Sequence, residues 1–119
     1  MAKVLIVDDS KYLRLMIRKI LKKYGHTIVA EAETGLEAIE QYKRTMPNVV
    51  TMDIVMPKMN GLTAVKEILK MNPKARIVIV TALGHEPIVQ QALKICVIDF
   101  VIKPFKVDQL VSAVEGALN

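Results

Sequence analysis

Polar residues that can take part in phosphoryl transfer stand directly after short apolar runs of the chain. Asp8 and Asp9 follow the first run, Asp53 follows a later one, and Thr81 and Lys103 follow two more. A carboxylate can attack phosphorus as a nucleophile, and carboxylate oxygens are preferred ligands of Mg²⁺. A lysine and a hydroxyl can stabilise the oxygens of a transferring phosphoryl group. The set therefore contains a nucleophile, metal ligands, a cation and a hydroxyl donor.

The apolar runs predict five buried strands, separated by segments with the periodicity of amphipathic helices. The predicted strands are residues 4–7, 27–30, 49–52, 77–80 and 100–102. The predicted helices are residues 13–24, 34–46, 62–71, 87–95 and 107–118. In the second helix, Leu36, Ile39 and Tyr42 are expected to face the core. This alternation predicts an α/β fold with a five-stranded parallel sheet and helices on both faces.

The strand ends bring the polar residues to one edge of the predicted sheet, because sites in open parallel sheets form outside the carboxyl ends of the strands. Three carboxylates placed close together repel one another, and a divalent cation relieves this repulsion. We expect Asp9 and Asp53 to bind Mg²⁺ directly and Asp8 to bind it through water. The backbone carbonyl of Val55 is a further candidate ligand.

Taken singly, most of these residues also have an ordinary structural explanation. Asp8 and Asp9 could cap the helix that follows them, since acids favour that position. Asp53 could simply precede a loop, and Lys103 with Pro104 could form a turn. Their shared position after four of the five predicted strands favours one joint site over separate explanations.

Length and composition indicate one globular domain, residues 1–119, and we expect no attached output domain. Hydrophobic residues make up 52% of the chain, yet no apolar run is long enough to span a bilayer and no signal-peptide cleavage site is visible. The one cysteine, Cys96, excludes an intrachain disulfide. We therefore expect a cytoplasmic protein without membrane insertion.

The net charge of +5 raises the question of a nucleic-acid partner. No helix-turn-helix or RNA-binding aromatic motif is visible, so no nucleic acid is expected, and a basic binding module remains an alternative. Many of the bases crowd the first predicted helix. They are Lys11, Arg14, Arg18, Lys19, Lys22 and Lys23. A solvated helix face is the plain interpretation, and contact with a partner kinase or phosphatase is the other.

Over its whole length the sequence resembles the receiver domains of two-component response regulators, most closely the stand-alone chemotaxis type. The resemblance is carried by motifs that are specific in combination. They are Val4-Leu5-Ile6-Val7-Asp8-Asp9, Met52-Asp53-Ile54-Val55-Met56-Pro57, Met59-Asn60-Gly61, Val80-Thr81-Ala82 and Lys103-Pro104-Phe105. The resemblance implies the flavodoxin-like receiver fold, with strand order 2-1-3-4-5.

The resemblance also implies a phosphorylation-activated switch in a two-component or chemotaxis pathway. Asp53 would be phosphorylated by a histidine kinase, with Mg²⁺ bound by the acidic pair Asp8 and Asp9. The protein would be a signalling phosphoacceptor with self-catalysed phosphorylation and dephosphorylation, not an enzyme with a separate substrate. We expect a monomer, and dimerisation on phosphorylation is left open.

Family resemblance further assigns the residues that sense and transmit the phosphoryl group. Thr81 matches the switch hydroxyl, Lys103 the phosphate-contacting lysine and Phe100 the switch aromatic, whose ring moves inward on activation. An ordinary strand residue is the alternative for Phe100. A cis peptide is implied before Pro104. The output surface would combine the fourth helix, fifth strand and fifth helix, and its partner could be a motor-switch or other chemotaxis protein.

Two departures from the family pattern stand out. Relatives usually carry Gly-Ala where this chain has Cys96-Val97, which affects the expected end of the fourth helix. Many relatives carry polar residues at the positions of Val55 and Leu83, and we expect the apolar residues here to slow hydrolysis of an aspartyl-phosphate.

A phosphatase-type enzyme with an aspartate nucleophile, similar to haloacid dehalogenases, is the alternative from another class. Those enzymes usually place an acidic residue two positions after the nucleophile. That position is Val55 in this chain, which disfavours the alternative.

Overall fold

The computed structural model describes residues 2–56, 59–82, 87, 90–91, 94–95 and 99–119. Within them, the chain alternates between strands and helices. The strands are β1 (Lys3–Val7), β2 (Thr27–Ala32), β3 (Val49–Met52), β4 (Ile77–Thr81) and β5 (Asp99–Ile102). The helices are α1 (Lys11–Lys23), α2 (Gly35–Thr45), α3 (Gly61–Met71) and a C-terminal helix (Val107–Ala117). These elements confirm the predicted α/β class.

The five strands form one parallel sheet in the order β2-β1-β3-β4-β5, as predicted. In the β1–β3 pair, Val7 lies opposite Met52, so both strands end at the same level. In the β4–β5 pair, Thr81 lies opposite Ile102. The register therefore brings the residues that follow β1, β3 and β5 to one edge of the sheet.

Apolar side chains cover both faces of the sheet. On one face, Tyr42 of α2 and Ile68 of α3 belong to a cluster with alternate residues of the central strands. On the other, Ile17 of α1 and Leu110 of the C-terminal helix pack against the remaining strand residues. The central strands are buried on both sides, which explains why their sequences are continuously apolar.

Polar caps fix where the helices next to the carboxyl edge begin. Ser10 caps α1, and its side chain accepts a hydrogen bond from the Leu13 backbone N–H at 3.2 Å. Asn60 caps α3 in the same way through Thr63, at 2.9 Å. Such caps satisfy amide groups that a helix start leaves without intrahelical partners. Both loops that carry the acidic residues therefore lead into helices with defined starting points.

The structure corrects one detail of the second helix. Leu36 was expected to face the core, but its side chain is 53% exposed. The buried stripe of α2 instead runs through Gly35, Ala38 and Tyr42, which recur at spacings of three and four. Leu36 follows Gly35 by one residue, about 100° further around the helix, and so points to solvent.

Some predictions fall outside the described residues. The predicted fourth helix, residues 87–95, is described only at five positions, residues 87, 90–91 and 94–95. Cys96, Val97 and Leu83 lie outside the described part of the chain.

Candidate functional site

The site is built where β1 and β3 end side by side. Asp8 follows β1 and Asp53 follows β3. The Asp53 backbone N–H donates to the Val7 carbonyl at 2.9 Å, which continues the sheet ladder by one step. The Asp8 backbone N–H donates to the Ala32 carbonyl at 3.0 Å on the other side. Both acidic residues are therefore held by main-chain bonds to neighbouring strands.

Three carboxylates converge at this edge, as predicted. One oxygen from each of Asp8, Asp9 and Asp53 lies within 4.8 Å of the others. Asp8 is 1% exposed and Asp53 is 6% exposed, whereas Asp9 is exposed. A hard divalent cation prefers oxygen ligands and often takes a few carboxylates together with water and phosphate oxygens. The donor atoms and their spacing fit a Mg²⁺ ion.

Lys103 bridges two of these acids from the end of β5. Its Nζ atom lies 2.6 Å from Asp8 Oδ2 and 3.3 Å from Asp53 Oδ2. The lysine side chain is only 14% exposed. Its backbone N–H donates to the Thr81 carbonyl at 2.8 Å, so β4 fixes the start of the loop that carries it. The predicted lysine is thus in direct contact with the predicted phosphoacceptor.

The charges in the cleft shift one another's protonation. Burial raises the pKa of Asp53 above its ordinary value of 3.8, and Asp8 adds to the rise, although Lys103 opposes it. Burial lowers the pKa of Lys103, but its bonds and charge interactions with Asp8 and Asp53 outweigh this, so the net shift is upward. Asp53 is therefore harder to ionise in the cleft than an aspartate in water. A cation added beside it would favour the ionised carboxylate and be bound by it.

Main-chain geometry directly after Asp53 depends on two further residues. The Val55 backbone N–H donates to Asp53 Oδ1 at 3.3 Å, while its side chain is 49% exposed. The Gly61 backbone N–H donates to the Ile54 carbonyl at 2.7 Å. A Cβ on Gly61 would lie 2.2 Å from the Asp53 carbonyl oxygen. Gly61 is part of a family motif in the sequence, but its close packing against the backbone of Asp53 was not predicted.

The remaining predicted residues lie on or beside β4 and β5. Thr81 ends β4 and is 1% exposed, and Phe100 lies on β5, partly buried against the core. The peptide between Lys103 and Pro104 is cis, as predicted. Phe100 and Lys103 both line a cavity of about 510 Å³ between β5 and the C-terminal helix. Lys103 therefore belongs both to the acidic cleft and to the wall of this cavity.

One basic residue of α1 differs from its expected place on a solvated face. The side chain of Arg14 is 12% exposed and donates through Nη1 to the Asp8 carbonyl at 2.7 Å. Sequence reasoning missed this contact. The sequence feature that could have indicated this contact is the position of the arginine in the first turns of the helix that directly follows Asp8 and Asp9.

Comparison with known proteins identifies the family. Residues 4–115 match the response regulator receiver domain. The chain belongs to this family. It is 45% identical to the chemotaxis protein CheY of Bacillus subtilis, with 98% of each chain covered. It is also 45% identical to CheY of Thermotoga maritima, covering 93% of this chain and 92% of the relative.

Solved receiver structures have the same fold. A chain of the CheX-CheY-BeF3-Mg²⁺ complex from Borrelia burgdorferi superposes with a TM-score of 0.93 at 33% identity. The alignment covers 98% of this chain and 89% of that one. The resemblance to two-component receiver domains of the chemotaxis type is thus confirmed, and it favours a signalling protein over the phosphatase-type alternative. None of the helices in the described part of the chain has the length and apolar character needed to cross a membrane.

Proposed function

We propose that this receiver domain is a signalling switch that accepts a phosphoryl group on Asp53 from a histidine kinase. One observation carries the proposal: the Asp53 carboxylate lies in contact with Lys103 Nζ and within 4.8 Å of carboxylate oxygens of Asp8 and Asp9. A nucleophile, a fixed cation and a set of metal ligands thus share one small cleft. A purely structural ion pair with Lys103 would need only one carboxylate. Three converging carboxylates repel one another, which a structural role does not explain.

In the proposed reaction, an Asp53 carboxylate oxygen attacks the phosphorus atom of a phosphohistidine on the kinase. The O–P bond forms as the P–N bond breaks, and the bonding pair leaves with the histidine ring, which takes up a proton. Acetyl phosphate reacts in the same way, its P–O bond breaking to release acetate. Hydrolysis reverses the state: water attacks phosphorus and releases inorganic phosphate and the Asp53 carboxylate.

Mg²⁺ at Asp8, Asp9 and Asp53 would neutralise charge on the phosphoryl oxygens. The Val55 backbone carbonyl is the further ligand that we propose. Lys103 holds a positive charge at the Asp53 carboxylate, and Thr81 ends the adjacent strand with its hydroxyl group. We assign Lys103 and Thr81 to two of the phosphoryl oxygens.

The proposed output follows from the position of Phe100. Phe100, Lys103 and residues of the C-terminal helix line the same cavity. A phosphoryl group that draws Thr81 and Lys103 toward it would alter this surface, together with the region after β4. Binding of a chemotaxis partner protein is supported by the similar structure of a complex of CheX, CheY, BeF3 and Mg²⁺, and we place the partner at this surface. A cytoplasmic monomer, with dimerisation on phosphorylation left open, fits this role.

The test is incubation of the purified chain with acetyl phosphate and Mg²⁺, followed by intact mass measurement. We expect a phosphate-sized mass gain in the wild type that disappears when Mg²⁺ is chelated. The matched control is Asp53→Asn, which keeps the side-chain shape and removes the nucleophile.

One outcome would contradict the proposed phosphoacceptor, and a second would contradict only the reaction with small donors. A mass gain that persists in Asp53→Asn would place the phosphoryl group on another residue. No gain in a wild-type protein that binds Mg²⁺ would reject self-catalysed phosphorylation from small donors.

A further inference from the structure

Arg14 joins α1, β2 and the loop after β1 through one guanidinium group. Its Nη1 donates to the Asp8 carbonyl at 2.7 Å, and its Nε donates to Glu31 Oε1 at 3.1 Å. Glu33 Oε2 lies 3.9 Å from the same Nη1. The planar fork of an arginine suits such simultaneous contacts, which a lysine cannot reproduce. The contact to Asp8 is made to main chain, so it does not occupy a carboxylate oxygen.

The Asp8 carbonyl belongs to the peptide group that links Asp8 to Asp9. The other polar groups of Asp8 are held separately: Oδ1 accepts from the Ser10 backbone N–H at 2.9 Å, and Oδ2 contacts Lys103. Asp9 is exposed, and the orientation of the peptide group bonded to Arg14 sets the direction in which the Asp9 Cα–Cβ bond leaves the main chain. Arg14 therefore acts on the main-chain group that carries Asp9.

The positive charge of Arg14 is balanced on the side away from the cleft. Glu31 accepts from both Arg14 and Arg18, the latter at 2.6 Å. Two arginines and the acids Glu31 and Glu33 thus form a nearly neutral group. Such an arrangement keeps a donor beside the acidic cleft with little net repulsion of a metal ion.

We propose that Arg14 is a positioning residue for metal binding, which holds the Asp8–Asp9 peptide group in the orientation that directs the Asp9 carboxylate toward Asp53. This inference rests on the proposed function, because it concerns Mg²⁺ bound by these acids. Residues that orient metal ligands without touching the metal commonly change affinity by about 10- to 100-fold when replaced.

The test compares Arg14→Met with Arg18→Met by calorimetric titration with Mg²⁺. Both changes remove one positive charge from the same helix and one contact to Glu31, but Arg18→Met leaves the bond to the Asp8 carbonyl intact. We expect Arg14→Met to weaken Mg²⁺ binding by about tenfold and Arg18→Met to change it by less than about twofold. Loss of a nearby cation would by charge alone strengthen Mg²⁺ binding, so a weaker affinity identifies positioning.

The thermal midpoint without Mg²⁺ is measured for each variant, because a purely structural role would lower it without changing affinity. Arg14→Lys, which keeps the charge and the aliphatic stem, serves if Arg14→Met does not fold, and its Mg²⁺ affinity should also be weakened. Affinity equal to or tighter than that of Arg18→Met overturns the inference. Absence of Mg²⁺ binding by the wild type would instead reject the proposed function itself.

Discussion

The backbone of Gly61 lies directly against the backbone of Asp53. A Cβ on Gly61 would lie 2.2 Å from the Asp53 carbonyl oxygen and 2.7 Å from the Cα atom of Ile54. The Gly61 N–H donates to the Ile54 carbonyl at 2.7 Å. The first turn of α3 is therefore seated on the segment that carries the proposed phosphoacceptor, and no larger residue fits there without displacing that segment.

Gly61→Ala should accordingly lower the free energy of unfolding by at least about 2 kcal/mol, since main-chain atoms cannot move aside cheaply. It should also slow phosphorylation of the remaining folded protein. Urea denaturation and the acetyl phosphate assay measure the two effects. Gly116→Ala is the control: its Cβ meets nothing within 4 Å, and in the C-terminal helix it should stabilise the protein by about 0.5–1 kcal/mol. Equal stability of the two variants would contradict the packing argument.

Lys103→Met should move two properties in opposite directions. Mg²⁺ affinity should rise, because the lysine ammonium competes for Asp8 and Asp53 at 2.6 and 3.3 Å. Phosphorylation from acetyl phosphate should slow by about 100-fold, because a fixed cation at the transferring group is lost. Calorimetry and time-resolved intact mass measure these effects. Lys74→Met, at an exposed position, should change neither. A parallel fall in both properties would indicate misfolding of the cleft instead.

Asp53→Asn should raise the thermal midpoint in the presence of a chelator. Since burial raises the pKa of Asp53 in the fold, the folded state binds more protons than the unfolded state between the ordinary value of 3.8 and the raised one. The wild type therefore loses stability relative to Asp53→Asn as the pH rises through this interval. The advantage of the variant should be smallest below the ordinary pKa of 3.8 and complete only above the raised pKa of Asp53. Mg²⁺ should then stabilise the wild type more than the variant; a pH-independent difference would be inconsistent with this origin.

Val55→Asn should accelerate loss of the phosphoryl group from Asp53 by about tenfold, the effect of roughly one added hydrogen bond to the attacking water. Val55 is half exposed and follows Asp53 by two positions, with its N–H bonded to Asp53 Oδ1. Decay of the phosphorylated mass after removal of the donor measures the rate. Val107→Asn changes another half-exposed valine, at the start of the C-terminal helix, and should leave decay unaltered. Identical decay in Val55→Asn and the wild type would reject the expected role of Val55.

The sequence alone predicted the positions of residues that are set by the order and length of the strands. Apolar runs predicted all five strands, and the polar residues after β1, β3 and β5 meet at one edge because parallel strands end there together. The Lys103–Asp53 contact follows from the same rule. Continuously apolar runs must be buried on both sides, and in an α/β fold only the strands of the central sheet are. The predicted strands therefore agree with the observed ones.

Features that depend on side-chain direction or on close main-chain contact could not be predicted. Leu36 matched the helical period yet lies outside, because the helix is seated through Gly35 and Ala38. Arg14 lies among the charged residues of α1 that were predicted to face solvent. Its bond to the Asp8 carbonyl depends on how α1, β2 and the loop after β1 meet in the fold. Gly61 gave no sign of its contact with Asp53, since nothing in a single sequence reports the distance between two backbones.

Because the acids and the lysine of the cleft lie far apart along the chain, they are synthesised at different times. A chain synthesised from its N-terminus acquires all three acids by residue 53, whereas the lysine that bridges two of them follows β5, the edge strand. Before that strand joins, the acids lack the cation that contacts them in the finished fold. The cleft therefore becomes complete only once β5 has been made, and a ligand that needs both the acids and the lysine distinguishes a chain that contains β5 from a shorter nascent one.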